Sequence, residues 1–304
     1  MEEVTRMAGD SKVAQQVMDR LEARGLQAEG LFPVGVRPGL GEYLGQLWQR
    51  RHFIWTDARH RVATQNSRNH LGSVWLVLRP LLDAALYFVV FGLILDMSGR
   101  TVENFAAYVI IGILMFRSTM RSISQGTSTL QTGRSMIRAF SFPRASLPIA
   151  SELRDMLQMQ YTIGVVLVMI MVIPPHELPQ TSWLLIIPIY VLQFVLNLGI
   201  NLFVSRLGFL IPDVSQLMTV VGRFLMYGSG VIFPIERFLD HPTVNAVVQF
   251  NPIYQMIKMY RQVLMDGGVP PLESWLILGG WAVGLLIIGF LFFWRGEESY
   301  GGGQ

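Results

Sequence analysis

Inside the apolar run HLGSVWLVLRPLLDAALYFVVFGLIL (70–95) stand Arg79, Pro80 and Asp83. A guanidinium presents a fork of donors that suits phosphate, and a carboxylate one turn later can hold it in place. Either charge alone at the middle of a membrane helix costs about 2.5–3.5 kcal/mol on insertion scales. The spacing therefore predicts an Arg79–Asp83 pair that faces a cavity or a partner subunit rather than lipid. A purely structural pair, with Arg79 reaching toward the membrane surface, is the competing reading.

Other chemistry is missing from the sequence. No G-x-x-x-x-G-K-[ST] run occurs, and neither Lys12 nor Lys258 follows a glycine, so ATP has no such cradle here. There is no H-E-x-x-H, no G-x-S-x-G and no Asp-x-Asp pair that would hold a metal-bound sugar nucleotide. The histidines at 52, 60, 70, 176 and 241 are scattered, and Cys is absent, which excludes disulfides and thiolate metal sites. No catalytic residue, metal ligand, cofactor or nucleic-acid partner is expected.

What must position Arg79 and Asp83 is a membrane scaffold. The 304 residues are 51% hydrophobic and 15% charged, against roughly a quarter charged in soluble domains. The fold class expected is an all-α integral membrane protein. Six stretches approach the roughly 20 apolar residues a bilayer requires. They are 74–95, 105–116 with a more polar continuation, 157–173, 183–204, 217–235 and 275–294. Ten Arg or Lys precede the first span and six lie between spans two and three, while the next-door links DMSGRTVEN and PPHELPQTS carry one and none. That bias places both termini in the cytoplasm of a plasma-membrane protein. Arg237, Lys258 and Arg261, in the link after span five, fall on the wrong side of the rule.

The expected organisation is a cytoplasmic extension (1–38), an interface helix and loop (39–70), a six-span domain (71–294) and a cytoplasmic tail (295–304). No apolar h-region occupies the first 30 residues, so no cleavable signal peptide is expected, and 10–25 reads as a short amphipathic helix. In LGEYLGQLWQRRHFIWTDARHRV, Leu40, Tyr43, Leu44, Leu47, Trp48, Ile54 and Trp55 fall on one side. Arg51 and its neighbours lie elsewhere, the pattern of an in-plane helix at the bilayer surface. The link after span two holds SMIRAF, whose Ile137 and Phe140 a solvated loop would not need; with Arg134 and Arg138 it reads as a docking helix. The turn SRLGFLIPDVSQ, with Arg206 and Asp213, is a second candidate contact. Gly228, Gly230 and Pro234 predict a break at the outer end of span five. The following QFNPIYQMIKMYR, with Asn251 and Pro252, predicts a re-entrant helical segment. Gly280 and Gly284 in span six read as intramolecular helix packing, with a dimer seam as the alternative.

Taken in order, LWQRRHFIWTDARHRVATQNSRNHLGSVWLVLRPLL, MIRAFSFPRASLPIASEL, GSGVIFPIERFLDHP and FNPIYQMIKMYR resemble type-2 permeases of ATP-binding-cassette polysaccharide exporters. The likeness runs from about Gly41 to the C-terminus. It implies a homodimer paired with two copies of a separate ATPase, which holds the ATP and Mg. It implies outward movement of a polyprenyl-pyrophosphate-linked glycan. The 22 Arg against two Lys point to an actinobacterial example, for which a lipid-linked cell-wall galactan is the natural cargo. In this reading Arg68 and Arg79, flanking the Leu71–Gly72 loop, hold the pyrophosphate with Asp83 beside them, and Arg51 is more peripheral. Two rivals remain: a membrane enzyme acting on lipid-linked sugars, for which only Glu152 and Asp155 approach an acidic pair, and a secondary transporter, which should show inverted repeats.

Overall fold

The computed structural model describes residues 38–64, 70–94, 104–140, 142–174, 176–235 and 242–301. The amphipathic stretch at 10–25 and Arg68 lie outside them. Among the described residues all regular structure is helical. Two short helices come first, α1 (Leu40–Gln49) and α2 (Arg51–Thr64). A turn of 3₁₀-helix at Gly72–Val74 leads into α3 (Trp75–Tyr87), which continues as π-helix to Ile94.

The centre of the bundle is α4 (Phe105–Thr132), because its first part, Phe105–Phe116, is apolar on every side and such a stretch belongs in a core. Within Phe105–Phe116 only Tyr108 is not fully buried. Its 28 residues span about 42 Å, more than the roughly 30 Å of hydrocarbon in a bilayer. The six-residue α5 (Arg134–Ala139) follows, then α6 (Ser146–Val172) and α7 (Ile186–Leu210). After them come α8 (Val214–Gly228), α9 (Pro242–Phe250), α10 (Pro252–Leu264) and α11 (Leu272–Trp294). A last 3₁₀ turn spans Ser299–Gly301.

Among the described residues, five helical stretches are long and apolar enough to cross a membrane: Gly72–Val90, Phe105–Ala139, Ser146–Val172, Thr181–Leu210 and Leu272–Trp294. The expected fifth run, 217–235, is not a sixth such helix. Its helix α8 has 15 residues, about 22 Å, and stops at Gly228. Gly230 then takes a φ of +59°, left-handed backbone that suits glycine. Spans two and three, in contrast, run well past the purely apolar stretches read from the sequence. The extra turns carry Arg117, Arg121 and Arg154, whose polarity is turned toward a cavity rather than toward lipid.

Small residues set the closest approaches. A Cβ on Gly289 would stand 2.2 Å from the Gly199 carbonyl, and one on Gly208 2.3 Å from that of Thr127. These contacts draw α7 against α11 and α4. The expected packing pair, Gly280 and Gly284, is wrong: nothing lies within 4 Å of either added Cβ. They sit on an open face of α11, and the close contact is made by Gly289, two turns farther on.

The interface segment is two helices joined at Arg50 rather than one. Tyr43, Leu47, Ile54, Ala58 and Val62 are buried, whereas Leu44, Trp48, Phe53 and Trp55 are exposed. The apolar residues therefore divide between a protein-facing side and an open side. The first side seats α1 in a cluster with Leu130, Ile137, Ala145, Leu202 and Phe293.

Candidate functional site

Where α3, α4, α6, the end of α2 and Thr219 of α8 surround a common space, they leave a cavity of about 1000 Å³. Five arginines line it: Arg61, Arg79, Arg117, Arg121 and Arg154. Against them stand Asp83 and Asp155 in the lining and Asp57, which pairs with Arg61 at 2.9 Å, so among the described residues two positive charges are in excess. Arginines inside apolar helices are expensive and characteristically face a polar cavity. Four helices contribute them: α2 supplies Arg61, and α3, α4 and α6 supply the others at the level where each leaves its apolar stretch.

The pairing within the cavity corrects the expectation. Asp83 accepts from Arg117 of α4, which also donates to the Tyr87 hydroxyl at 3.3 Å. No ion pair joins Asp83 to Arg79. A carboxylate between two spans fastens them when it takes its guanidinium from the neighbouring helix, and that leaves Arg79 on the cavity wall. Arg121 donates to the side-chain oxygen of Gln158 and Arg154 to that of Gln125, each at 2.9 Å. Gln125 in turn donates to Asp155 at 3.1 Å. An amide oxygen positions a guanidinium without cancelling its charge; Asp155 attracts both cations without a close ion pair, and each keeps further donors for an anion.

Sequence reasoning missed Arg117, Arg121 and Arg154 as site residues, having counted them only as loop charges. Their spacing held a signal: Arg117 and Arg121 are one turn apart, with Ser118, Ser124 and Gln125 following on the same helix. Glu152 lies outside this lining. It is buried among α4, α6 and α7, accepting from Ser122 and, at 3.3 Å, from Asn201. Leu71 is half exposed, and Gly72 holds a left-handed φ of +48° with open space around it. The loop is thus shaped by backbone conformation, not by crowding. Arg51 is exposed and folds back on Trp48, donating to its carbonyl at 2.9 Å and lying 4.8 Å from the ring centre.

The proposed docking residues divide in two. Arg134, Arg138 and Phe140 are exposed on or beside α5, and Asp213 is exposed at the start of α8. Ile137 is not available: it points into the protein and packs in the cluster around Tyr43 and Phe293. Its apolarity serves to seat the short helix. Arg206 also turns inward, donating to the Phe292 carbonyl and stacking 4.3 Å from that ring. It closes the end of α11 onto α7. Beside α5 lies a hollow of about 300 Å³ walled by Gln131, Arg134, Phe209, Pro212 and Tyr300.

The residues expected at the other end of the bundle come together. Asn251 caps α10 by accepting from the Ile253 N–H at 2.9 Å, and Pro252 takes the first helical position. The same side chain donates to the Ser229 hydroxyl at 2.9 Å and the Gly228 carbonyl at 3.5 Å. Pro234 follows within the same irregular stretch. Arg261 resolves one of the misplaced charges. It is buried and donates to the carbonyls of Tyr108, Gly230 and Val231, so it is part of the core and no loop charge.

Helices of membrane-crossing length wrapped around a basic cavity define a multi-pass membrane protein with a polar interior site. The chain belongs to the ABC-2 type transporter family, which it matches over residues 59–265. It is similar to an O-antigen export system permease protein of Klebsiella pneumoniae, 22% identical over 65% of this chain and 74% of that protein. The permease of the same description from Myxococcus xanthus is 18% identical over 79% and 91%. The polysialic acid transport protein KpsM of Escherichia coli is 18% identical over 78% and 91%.

Proposed function

We propose that this chain is the permease subunit of an ATP-driven exporter that moves a polyprenyl-pyrophosphate-linked polysaccharide outward across the plasma membrane. Two copies assemble with two copies of a separate cytoplasmic ATPase. The observation that carries the reading is the arginine-rich cavity inside the family-matched helices. A diphosphate leaving the membrane surface requires charge-assisted donors, and guanidinium forks supply them. Arg79, Arg121 and Arg154 are the groups that hold it, with the Leu71–Gly72 loop at the approach. The likeness to permeases of O-antigen export and polysialic acid transport supports polysaccharide as cargo, and the Arg-rich composition favours a cell-wall galactan. Leu217, Val220, Phe224 and Tyr227, exposed along one face of α8 beside the cavity, support pairing with a second copy.

The ATPase docks on the exposed side of α5. Purification of the permease from membranes should recover a stoichiometric ATPase. Phe140→Asp should weaken that association about thirtyfold, the effect of losing an interface residue worth about 2 kcal/mol. Membrane insertion should be unchanged, because Phe140 touches solvent in the single chain. Ile137→Asp is the wrong test, since it disrupts the protein's own core. Full ATPase recovery with Phe140→Asp would refute the docking site.

In the proposed topology both termini are cytoplasmic and the chain crosses six times. The fifth crossing is made by the short α8 together with the irregular Ser229–Ile235. Cysteine introduced at Glu177 should react with an impermeant maleimide added outside intact cells, and cysteine at Gly303 should not. The native chain contributes no background because it has no Cys. Reversed labelling would overturn the orientation.

A further inference from the structure

The tail after α11 was expected to be a plain cytoplasmic end, yet Glu297 within it is 3% exposed. One of its carboxylate oxygens accepts from the Tyr43 hydroxyl of α1 at 2.7 Å. The other accepts from the backbone N–H of Arg144 at 2.8 Å. The Arg144 guanidinium adds a bond to the Glu297 carbonyl at 2.7 Å and an ion pair to its carboxylate at 3.5 Å. The Tyr43 oxygen also accepts from the Ala145 N–H at 3.1 Å. Three segments far apart in sequence thus meet at one satisfied, buried carboxylate. Burial pushes the Tyr43 phenol and the Glu297 carboxyl upward, and the Glu297 charge raises the phenol further. The phenol therefore keeps its proton and donates.

Glu297 does more than anchor a chain end. Arg144 and Ala145 end the link from α5, Ala145 being the N-cap of α6, and α1 is followed directly by α2, whose Arg61 and Thr64 line the cavity. Tyr300 continues the tail, packing edge-on to Phe209 at 5.0 Å and walling the hollow beside α5. We infer that Glu297, Tyr43 and Arg144 form a coupling clasp that makes α1 and the α5 link move as one body, carrying displacement of α5 through α2 to the cavity wall. A buried charged network with every partner in place resists separation, because removing one partner strands the others. The inference rests on the proposed docking of the ATPase at α5.

The test uses the permease–ATPase complex in lipid nanodiscs, with spin labels on Trp48→Cys of α1 and Ala139→Cys of α5. Both positions are exposed. With the clasp intact, a non-hydrolysable ATP analogue should leave the distance between the labels fixed. Tyr43→Phe removes one oxygen and keeps the ring that packs 6.1 Å from Phe290. It should let the labels separate on nucleotide addition while the ATPase stays bound, and Glu297→Gln, which retains an acceptor oxygen, should give a smaller shift. A label distance that changes with nucleotide in the intact protein overturns the clasp. So does a distance that stays fixed in Tyr43→Phe, or release of the ATPase by that variant, which would make Tyr43 a docking residue instead. An unlabelled complex with no ATPase bound at all would fell the docking reading, and the two failures are thereby distinguished.

Discussion

Changing Arg121 and Arg154 together to Gln is expected to weaken binding of a polyprenyl pyrophosphate by about a hundredfold or more. Each charge-assisted hydrogen bond is worth about 1.5–3 kcal/mol, or roughly ten- to a hundredfold in affinity. The two side chains come from α4 and α6 and are braced by Gln158 and Gln125 at 2.9 Å. Neither makes an ion pair with Asp155, which is bound to Gln125. Glutamine is shorter but keeps a polar amide on the wall while removing the cation, so lost affinity in a variant complex that still assembles and melts like the wild type reports charge and not collapse. Binding of the lipid to the detergent-solubilised complex measures it directly. Inorganic pyrophosphate should compete better than phosphate, and the difference should narrow as salt screens this partly open site. Unchanged affinity in the double variant would end the assignment of the cavity to the headgroup.

Arg79 now gives a cleaner companion measurement than its sequence context suggested. Had it been paired with Asp83, truncating it would have stranded a carboxylate inside a span. Asp83 is instead held by Arg117, so Arg79→Ala leaves that fastening of α3 to α4 intact. Its expected cost is about tenfold in headgroup affinity. Arg117→Ala, in contrast, mixes a binding effect with the loss of an interhelical tie and is a poor probe of either.

Much of this architecture was legible because lipid imposes a simple rule: long apolar runs become helices, and charges within them must face something polar. The breaks at Gly228 and Asn251–Pro252 were equally readable, since caps and left-handed turns are written in local residue types. Partner choice was not. Asp83 looked to its own helix for Arg79, four residues away, but found Arg117, 34 positions on. Ile137 and Phe140 looked alike as exposed docking residues, although one seats the helix and the other stands free. The extent of α4 and α6 was missed for the same reason. Hydropathy averages over all faces of a helix and cannot show that Arg121 and Arg154 turn to a common cavity. Glu297 gave no local sign at all, because its role depends on Tyr43, 254 residues earlier.

The second large effect concerns Arg261. Its Nε and one Nη donate to the Tyr108 carbonyl at 3.2 and 3.1 Å, and its Nη atoms reach the carbonyls of Gly230 at 2.9 Å and Val231 at 2.6 Å. The guanidinium also stacks 3.3 Å from the centre of the Tyr108 ring. This one side chain satisfies the irregular backbone where α8 stops and pins it to α4 and α10. Non-helical backbone at such a depth persists only when protein groups satisfy it. Arg261→Met keeps most of the volume but takes the donor from the Val231 carbonyl and weakens the hold on that of Gly230, which keeps only the Tyr108 hydroxyl at 3.4 Å, at about 1–3 kcal/mol for each group affected. The expected total, after relaxation, is about 3–5 kcal/mol, enough to lower the thermal midpoint in detergent sharply. Lysine should rescue only in part, because a single ammonium cannot span the positions the planar fork reaches. An independent variant removes the cradle and not the cation. A Cβ on Gly112 would stand 2.2 Å from the Val231 carbonyl and 2.4 Å from an Arg261 Nη. Gly112→Ala must therefore displace the guanidinium or the strap it holds, and should destabilise in the same direction. If both variants melt like the wild type, the strap is held by Asn251 and the α10 cap alone, and Arg261 is dispensable to the fold.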